Sequence, residues 1–299
     1  MEYRILGHSG LNVSAISFGC MSLKAASERE GIALIHRAMD LGINFIDTAD
    51  IYEHGLNEQI VGKALSGHRD RVILATKVGN QWRADGSGLD WNPRKAHIMA
   101  SVEESLKRLG TDRIDLYQLH GGTIEDPMDE TIDAFEILKK QGKILHYGIS
   151  SIRPNVIRTW VERSSITSVM MQYSLADRRP EEAMLDLLLE KGIGVLVRGS
   201  LAQGLLVNKA GKEYLGQEAA AMDRAREALS DGAHAGRRPA QTALRYVLHH
   251  PAVSSVVVGV RSEEQLEEAI SAMNSAAIGK MEMEDLKDLL PARRYEQHR

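Results

Sequence analysis

A single (β/α)8 TIM barrel of the α/β class, with an N-terminal β-hairpin as its cap, is the fold the sequence predicts. Three observations point to it. Eight short apolar runs rich in Val, Ile and Leu recur along the 299 residues, helical patterns fall between them, and most connections are short. Runs of this length without strict alternation suit strands covered on both faces, the situation in a parallel sheet. The length fits a barrel of about 250 residues better than two domains. Residues 1–299 are accordingly expected to form one domain, with no linker in between.

The elements follow in order. Residues 3–6, a Ser9-Gly10 turn and the stretch from Asn12 onward read as a hairpin able to cap the bottom of the barrel. The strand runs are residues 13–19, 42–48, 71–77, 114–120, 145–151, 168–174, 194–200 and 254–260. Residues 28–41 place Ile32, Leu34, Ile35 and Met39 near one side of a helix. Ile98, Val102, Leu106 and Leu109 form an apolar stripe that Gly110 stops. Pro127 opens a helix over 128–141 and Gly142 closes it; Pro180 and Gly192 bracket 181–191, and Pro239 opens 240–249. Residues 79–93 read as a long glycine-containing loop, and 208–237 as a long loop or an extra helix. A doubly wound sheet would want G-x-G-x-x-G after the first strand, but that strand ends in Phe18-Gly19-Cys20-Met21.

Composition narrows the function classes. Hydrophobic residues make up 43% and charged residues 26%, the proportions of a globular chain. A single Cys excludes an intrachain disulfide and a Cys-based structural zinc site. The net charge of −4 argues against nucleic acid as a partner. No run of about 18 apolar residues predicts a membrane span, and no leader pattern opens the chain, so a cytoplasmic location is expected. The eleven His include no H-E-x-x-H, and no metal site is expected.

In a TIM barrel, polar residues at the carboxyl ends of strands face the active site. Asp47 ends GINFID, Lys77 ends RVILATK, His120 ends IDLYQLH, and Tyr52 lies on the loop after Asp47. Each alone has a bland explanation: a helix cap, an ion pair, a structural His, a packed Tyr. Their placement on consecutive strand ends is what singles them out.

Residues 42–52 (GINFIDTADIY), Ala75-Thr76-Lys77 and Asp115–His120 resemble the aldo-keto reductases, and the likeness runs from the hairpin to about residue 272. The resemblance implies an NADP-dependent oxidoreductase that transfers hydride from NADPH to an aldehyde or ketone. Tyr52 would be the general acid, Lys77 would lower its pKa toward neutrality, Asp47 would orient Lys77, and His120 would polarise the carbonyl. It also implies cofactor residues. Gly19, Cys20, Met21 and Asp47 would flank the cofactor, and Ser150, Ser151 and Gln172 would hold the carboxamide. Gly199, Ser200, Leu201, Gln203, Gly204 and Lys209 would meet the pyrophosphate. Gly259, Arg261, Gln265 and Glu268 would meet the adenosine end, with Arg261 on a 2′-phosphate.

Residues 262–265 also read as an ordinary capping box, with Ser262 as N-cap. Arg198 stands where the family has a stacking aromatic; its charge would disfavour NADP+ more than NADPH. Trp82, with Tyr52 and His120, would line the substrate pocket, and the long C-terminal substrate loop of some relatives would be absent. A cofactor-sensing binding subunit of the same fold, or a barrel aldolase using Lys77 as a Schiff-base amine, are the other classes open to this sequence.

Overall fold

The computed structural model describes residues 1–230 and 236–299. Eight parallel strands close a barrel: Ile16–Gly19, Phe45–Asp47, Ile73–Val78, Ile114–Leu119, Ile144–Ser150, Ser168–Gln172, Gly194–Arg198 and Val253–Gly259. Each pairs with its neighbours in chain order, and the last strand pairs with the first through Val256↔Ile16 to Gly259↔Gly19.

Strand periodicity builds two layers inside the barrel. Side chains two residues apart point the same way, so Phe45, Ala75, Leu116, Met170, Leu196 and Val257 meet in one apolar cluster. Leu6 and Val13 of the hairpin (Tyr3–Ile5 paired with Asn12–Ser14) join that cluster and plug the amino-terminal end. Two residues further along five of the same strands stand Asp47, Lys77, Gln118, Gln172 and Arg198. The lumen thus changes from apolar to polar within one pleat, at the carboxyl end. Outside, a larger core packs the strands against the surrounding helices.

Three segments differ from the sequence-based expectation. Residues 79–93 are not an open loop: Asn80–Trp82 and Leu89–Trp91 form an antiparallel hairpin. The helix expected over 181–191 begins only at Met184, because Arg179–Glu182 forms a separate 3-10 turn. The chain after 272 is not spare. It forms a helix, Lys280–Asp288, and then a tail that returns across the barrel, where the His298 carbonyl accepts from the Asn155 amide at 2.8 Å. The segment 208–237 does contain an extra helix, Ala219–Ser230, while residues 231–235 lie outside the described residues. No helix among the described residues is long and apolar enough to cross a membrane.

Candidate active site

The polar layer is organised around one buried ion pair. Lys77 and Asp47 are almost fully buried, and the Lys77 ammonium donates to Asp47 Oδ2 at 2.7 Å and to the Thr48 carbonyl at 2.6 Å. Gln118 Nε2 donates to the other Asp47 oxygen at 3.3 Å. Burial works against the charge on Lys77, but Asp47 and then Tyr52 hold its pKa above the ordinary lysine value. Burial also pushes Asp47 up, against the pull of Lys77.

Tyr52 reaches this pair from the loop after the second strand. Its ring centre lies 5.2 Å from the Lys77 nitrogen and 6.0 Å from the His120 ring, the two rings standing edge to face. The loop turns sharply enough that Glu53 and His54 both take left-handed backbone (φ 50° and 54°), a conformation that costs a non-glycine residue about 1 kcal/mol or more. Contacts on both flanks hold it there. Lys24 pairs with Glu53 at 2.7 Å, and the His54 ring stacks on Trp82 at 3.9 Å. Trp82 Nε1 donates to the Ile51 carbonyl at 3.3 Å, so the 80–91 hairpin clamps the Tyr52 loop directly.

The protonation states follow from position. Burial pushes the Tyr52 phenol up, and the Lys77 charge only partly offsets it. The expected lowering toward neutrality is therefore not found; desolvation outweighs the ammonium, and the phenol is protonated at neutral pH. His120 is pushed down to about 3, first by burial and then by the charges of Lys77 and Arg198, which keeps the imidazole neutral. Its Nδ1 is buried without a partner among the described residues.

The family model of the aldo/keto reductase family matches residues 15–291. The chain belongs to that family. Aligned over 308 residues, this aldo/keto reductase is 46% identical to the uncharacterized oxidoreductase YqkF of Bacillus subtilis (strain 168), with 100% of both chains covered. Its structure resembles aldo-keto reductase AKR11C1 from Bacillus halodurans. The holo form matches with a TM-score of 0.94 at 47% identity, covering 100% of this chain and 99% of that one. The apo form, with the same coverage, matches at 0.86 and 44% identity. Family and relatives make this reductase an oxidoreductase enzyme.

The remaining expected positions of this aldo/keto reductase gather at the same end of the barrel. Gly19, buried Cys20 and exposed Met21 lie at the carboxyl end of the first strand, Ser150 and Ser151 at that of the fifth, Gln172 at that of the sixth, and Arg198, Gly199 and Ser200 at that of the seventh. Burial raises the Cys20 thiol well above its ordinary value, so it stays protonated. Gln172 is already engaged. Its amide nitrogen donates to Asp177 at 3.1 Å and to the Tyr214 hydroxyl at 3.2 Å, and its oxygen accepts from Arg198 at 2.9 Å. Leu201 and Gly204 flank a short turn with Gln203 at φ 59°, and Lys209 lies exposed over Gly204.

At the eighth strand, Gly259 has open space where a Cβ would stand. Ser262 caps the helix Glu263–Ser271, accepting from the Gln265 amide at 3.4 Å, and the Gln265 side chain accepts from the Arg261 amide at 2.8 Å. Ser262 thus makes its half of the capping box read from the sequence, but Gln265 reaches back to Arg261 rather than to the Ser262 amide, so the reciprocal bond is not formed; Glu268 lies 3.7 Å from Arg238. The Arg261 guanidinium is exposed and has no partner among the described residues. Gln118, Asn57, Asp177 and Tyr214 are the participants that the sequence reading missed. Asn57 is fully buried and ties the first two strand ends together, accepting from Thr48 at 2.7 Å and donating to the Cys20 carbonyl at 2.8 Å.

Proposed function

We propose that this enzyme reduces an aldehyde or ketone with NADPH, Tyr52 giving the proton to the carbonyl oxygen. One observation carries the reading: the buried Asp47–Lys77 pair sits under a protonated Tyr52 phenol, beside a neutral His120 whose Nδ1 has no partner among the described residues. NADPH, when bound, supplies hydride to the carbonyl carbon. Tyr52 donates its proton as negative charge develops on oxygen, and the nearby ammonium stabilises the resulting phenolate. Asp47, held by Gln118, keeps Lys77 charged and aimed. His120, neutral, donates a hydrogen bond that positions and polarises the carbonyl, and Trp82 forms the wall above.

The residues present fit the cofactor. The His120 nitrogen and the Arg261 guanidinium at a helix N-terminus, both without a partner among the described residues, and the open space at Gly259 suit a nicotinamide dinucleotide with a 2′-phosphate. Ser150, Ser151 and Gln172 would hold the carboxamide, with Gly19, Cys20, Met21 and Arg198 beside the ring. Gly199, Ser200, Leu201, Gln203, Gly204 and Lys209 would hold the pyrophosphate, and Gln265 and Glu268 the adenine. Both Gln172 N–H groups are already used, so its oxygen, which among the described residues accepts only from Arg198, is the atom that would accept from the carboxamide.

The test is steady-state NADPH oxidation over a panel of aldehydes and ketones, with NADH as control. Tyr52→Phe should lower kcat by about 10²- to 10⁴-fold while leaving NADPH binding, read by fluorescence titration, nearly unchanged. Binding without turnover in the intact chain would instead support a cofactor-sensing subunit, and a preference for NADH would overturn the role given to Arg261.

A further inference from the structure

Beside the polar layer lies a cavity of about 470 Å³ that the proposed chemistry does not use. The returning C-terminal tail lines it together with the segments after the fifth, sixth and seventh strands. In a chain of net charge −4, its lining carries Arg153, Arg179, Arg293 and Arg294 against a single carboxylate, Glu296.

These four cations are not equally engaged. Arg179 is neutralised by Asp177, to which it donates twice, at 2.7 and 2.8 Å. Arg294 lies 4.0 Å from Glu182. Arg153 and Arg293 have no carboxylate partner among the described residues. Arg153 donates to the Gly122 carbonyl at 2.5 Å, and Arg293 donates to the Gly216 carbonyl. A main-chain carbonyl orients a guanidinium without cancelling its charge, and each fork keeps free N–H groups. Two oriented, uncompensated guanidinium groups, one from the segment after the fifth strand and one from the tail, match an oxyanion.

Two paths of contact lead from the cavity toward the reacting centre. Gly122, which anchors Arg153, lies two residues past His120. On the other side Arg179 leads through Asp177 and Gln172 to Arg198, whose charge is felt at His120. We propose that the physiological carbonyl substrate carries a carboxylate, held in this cavity by Arg153 and Arg293 while its carbonyl faces Tyr52 and His120. This rests on the carbonyl-reductase reading above and names its substrate class.

The experiment compares kcat/KM for 4-carboxybenzaldehyde and its methyl ester, with NADPH saturating, in the full-length enzyme and in Arg153→Gln and Arg293→Gln. The acid should be preferred by about tenfold or more, the scale of one charge-assisted hydrogen bond, and the acid-to-ester ratio should fall toward one in each variant, mainly through KM. Arg153→Lys should recover part of the ratio. Arg153 also fastens a loop, so Arg293→Gln, on the exposed tail, keeps the test valid if Arg153→Gln does not fold. Equal rates for acid and ester in the intact enzyme, or variants that slow both alike, would overturn the proposal and leave the reductase standing. So would inorganic phosphate that raises the melting temperature in an Arg153-dependent way without an acid preference, since the arginines would then serve a free anion. No NADPH oxidation with either aldehyde would instead remove the reading beneath it.

Discussion

Asp50 shows how strongly position controls a single side chain here. It lies three residues past Asp47, on the loop that follows that strand, yet burial first, and then the negative charge of Glu58, push its carboxyl from 3.8 up to about 8. Its Oδ1 has no partner among the described residues. The folded state therefore binds this proton more tightly than the unfolded chain does, and the associated stability is present at low pH and lost as pH rises through the raised value. Asp50→Asn removes that titration. Urea unfolding should show the wild type losing about 1–3 kcal/mol between about pH 5 and pH 8 relative to the variant; parallel curves would refute it. Arg198 gives a second residue-scale prediction. Replacing it with Tyr removes a positive charge from the position beside the nicotinamide, so NADP+ should tighten relative to NADPH by about three- to tenfold in binding titrations. An unchanged ratio of the two affinities would sink that role.

At the scale of elements, the close approach of two helices sets a sharp limit on sequence. A Cβ at Gly62, in Leu56–Leu65, would stand 2.7 Å from the backbone of Arg108 and Leu109, at the end of Lys95–Leu109. Helix propensity alone favours Ala over Gly by about 1 kcal/mol, so packing decides the sign. Gly62→Ala should destabilise by about 1–3 kcal/mol, measured as a lower urea midpoint, because backbone cannot move aside as a flexible side chain can. The same scale separates what could be read from the sequence from what could not. Strand ends were legible because Asp47, Lys77 and His120 each terminate an apolar run, and burial on both faces writes such runs plainly. Gln118 was not singled out, although it has the inward parity of Leu116, because a polar residue inside a strand looks like any other interruption. The 80–91 hairpin has strands of three residues with no alternation, so composition pointed to a loop. The tail was illegible for a different reason: Arg293 and Tyr295 are held by distant partners, Gly216 and Arg179, and no local pattern announces them.

For the whole molecule, the seam that closes the barrel joins residues far apart in sequence. The strand Val253–Gly259 pairs on one side with Gly194–Arg198 and on the other with Ile16–Gly19. Around it Arg4 donates to the carbonyls of Leu248 and Val253, and the Ser255 hydroxyl donates to the Ser14 carbonyl at 2.7 Å. A chain cut after residue 252 should therefore show no cooperative thermal transition by circular dichroism, although only its last part is missing; a sharp transition would mean that the barrel holds without its closing strand. The seam also bears on how the protein is made. Ile16 and its partner Val256 lie 240 residues apart. At about 5–20 residues per second, a ribosome delivers the second roughly 10–50 s after the first. Throughout that interval the emerging first strand presents an unpaired edge, the kind of surface on which nascent chains stick to one another. Translation speed and chaperone supply, rather than the strength of any contact in the finished barrel, would then govern how much of this enzyme a cell recovers in active form.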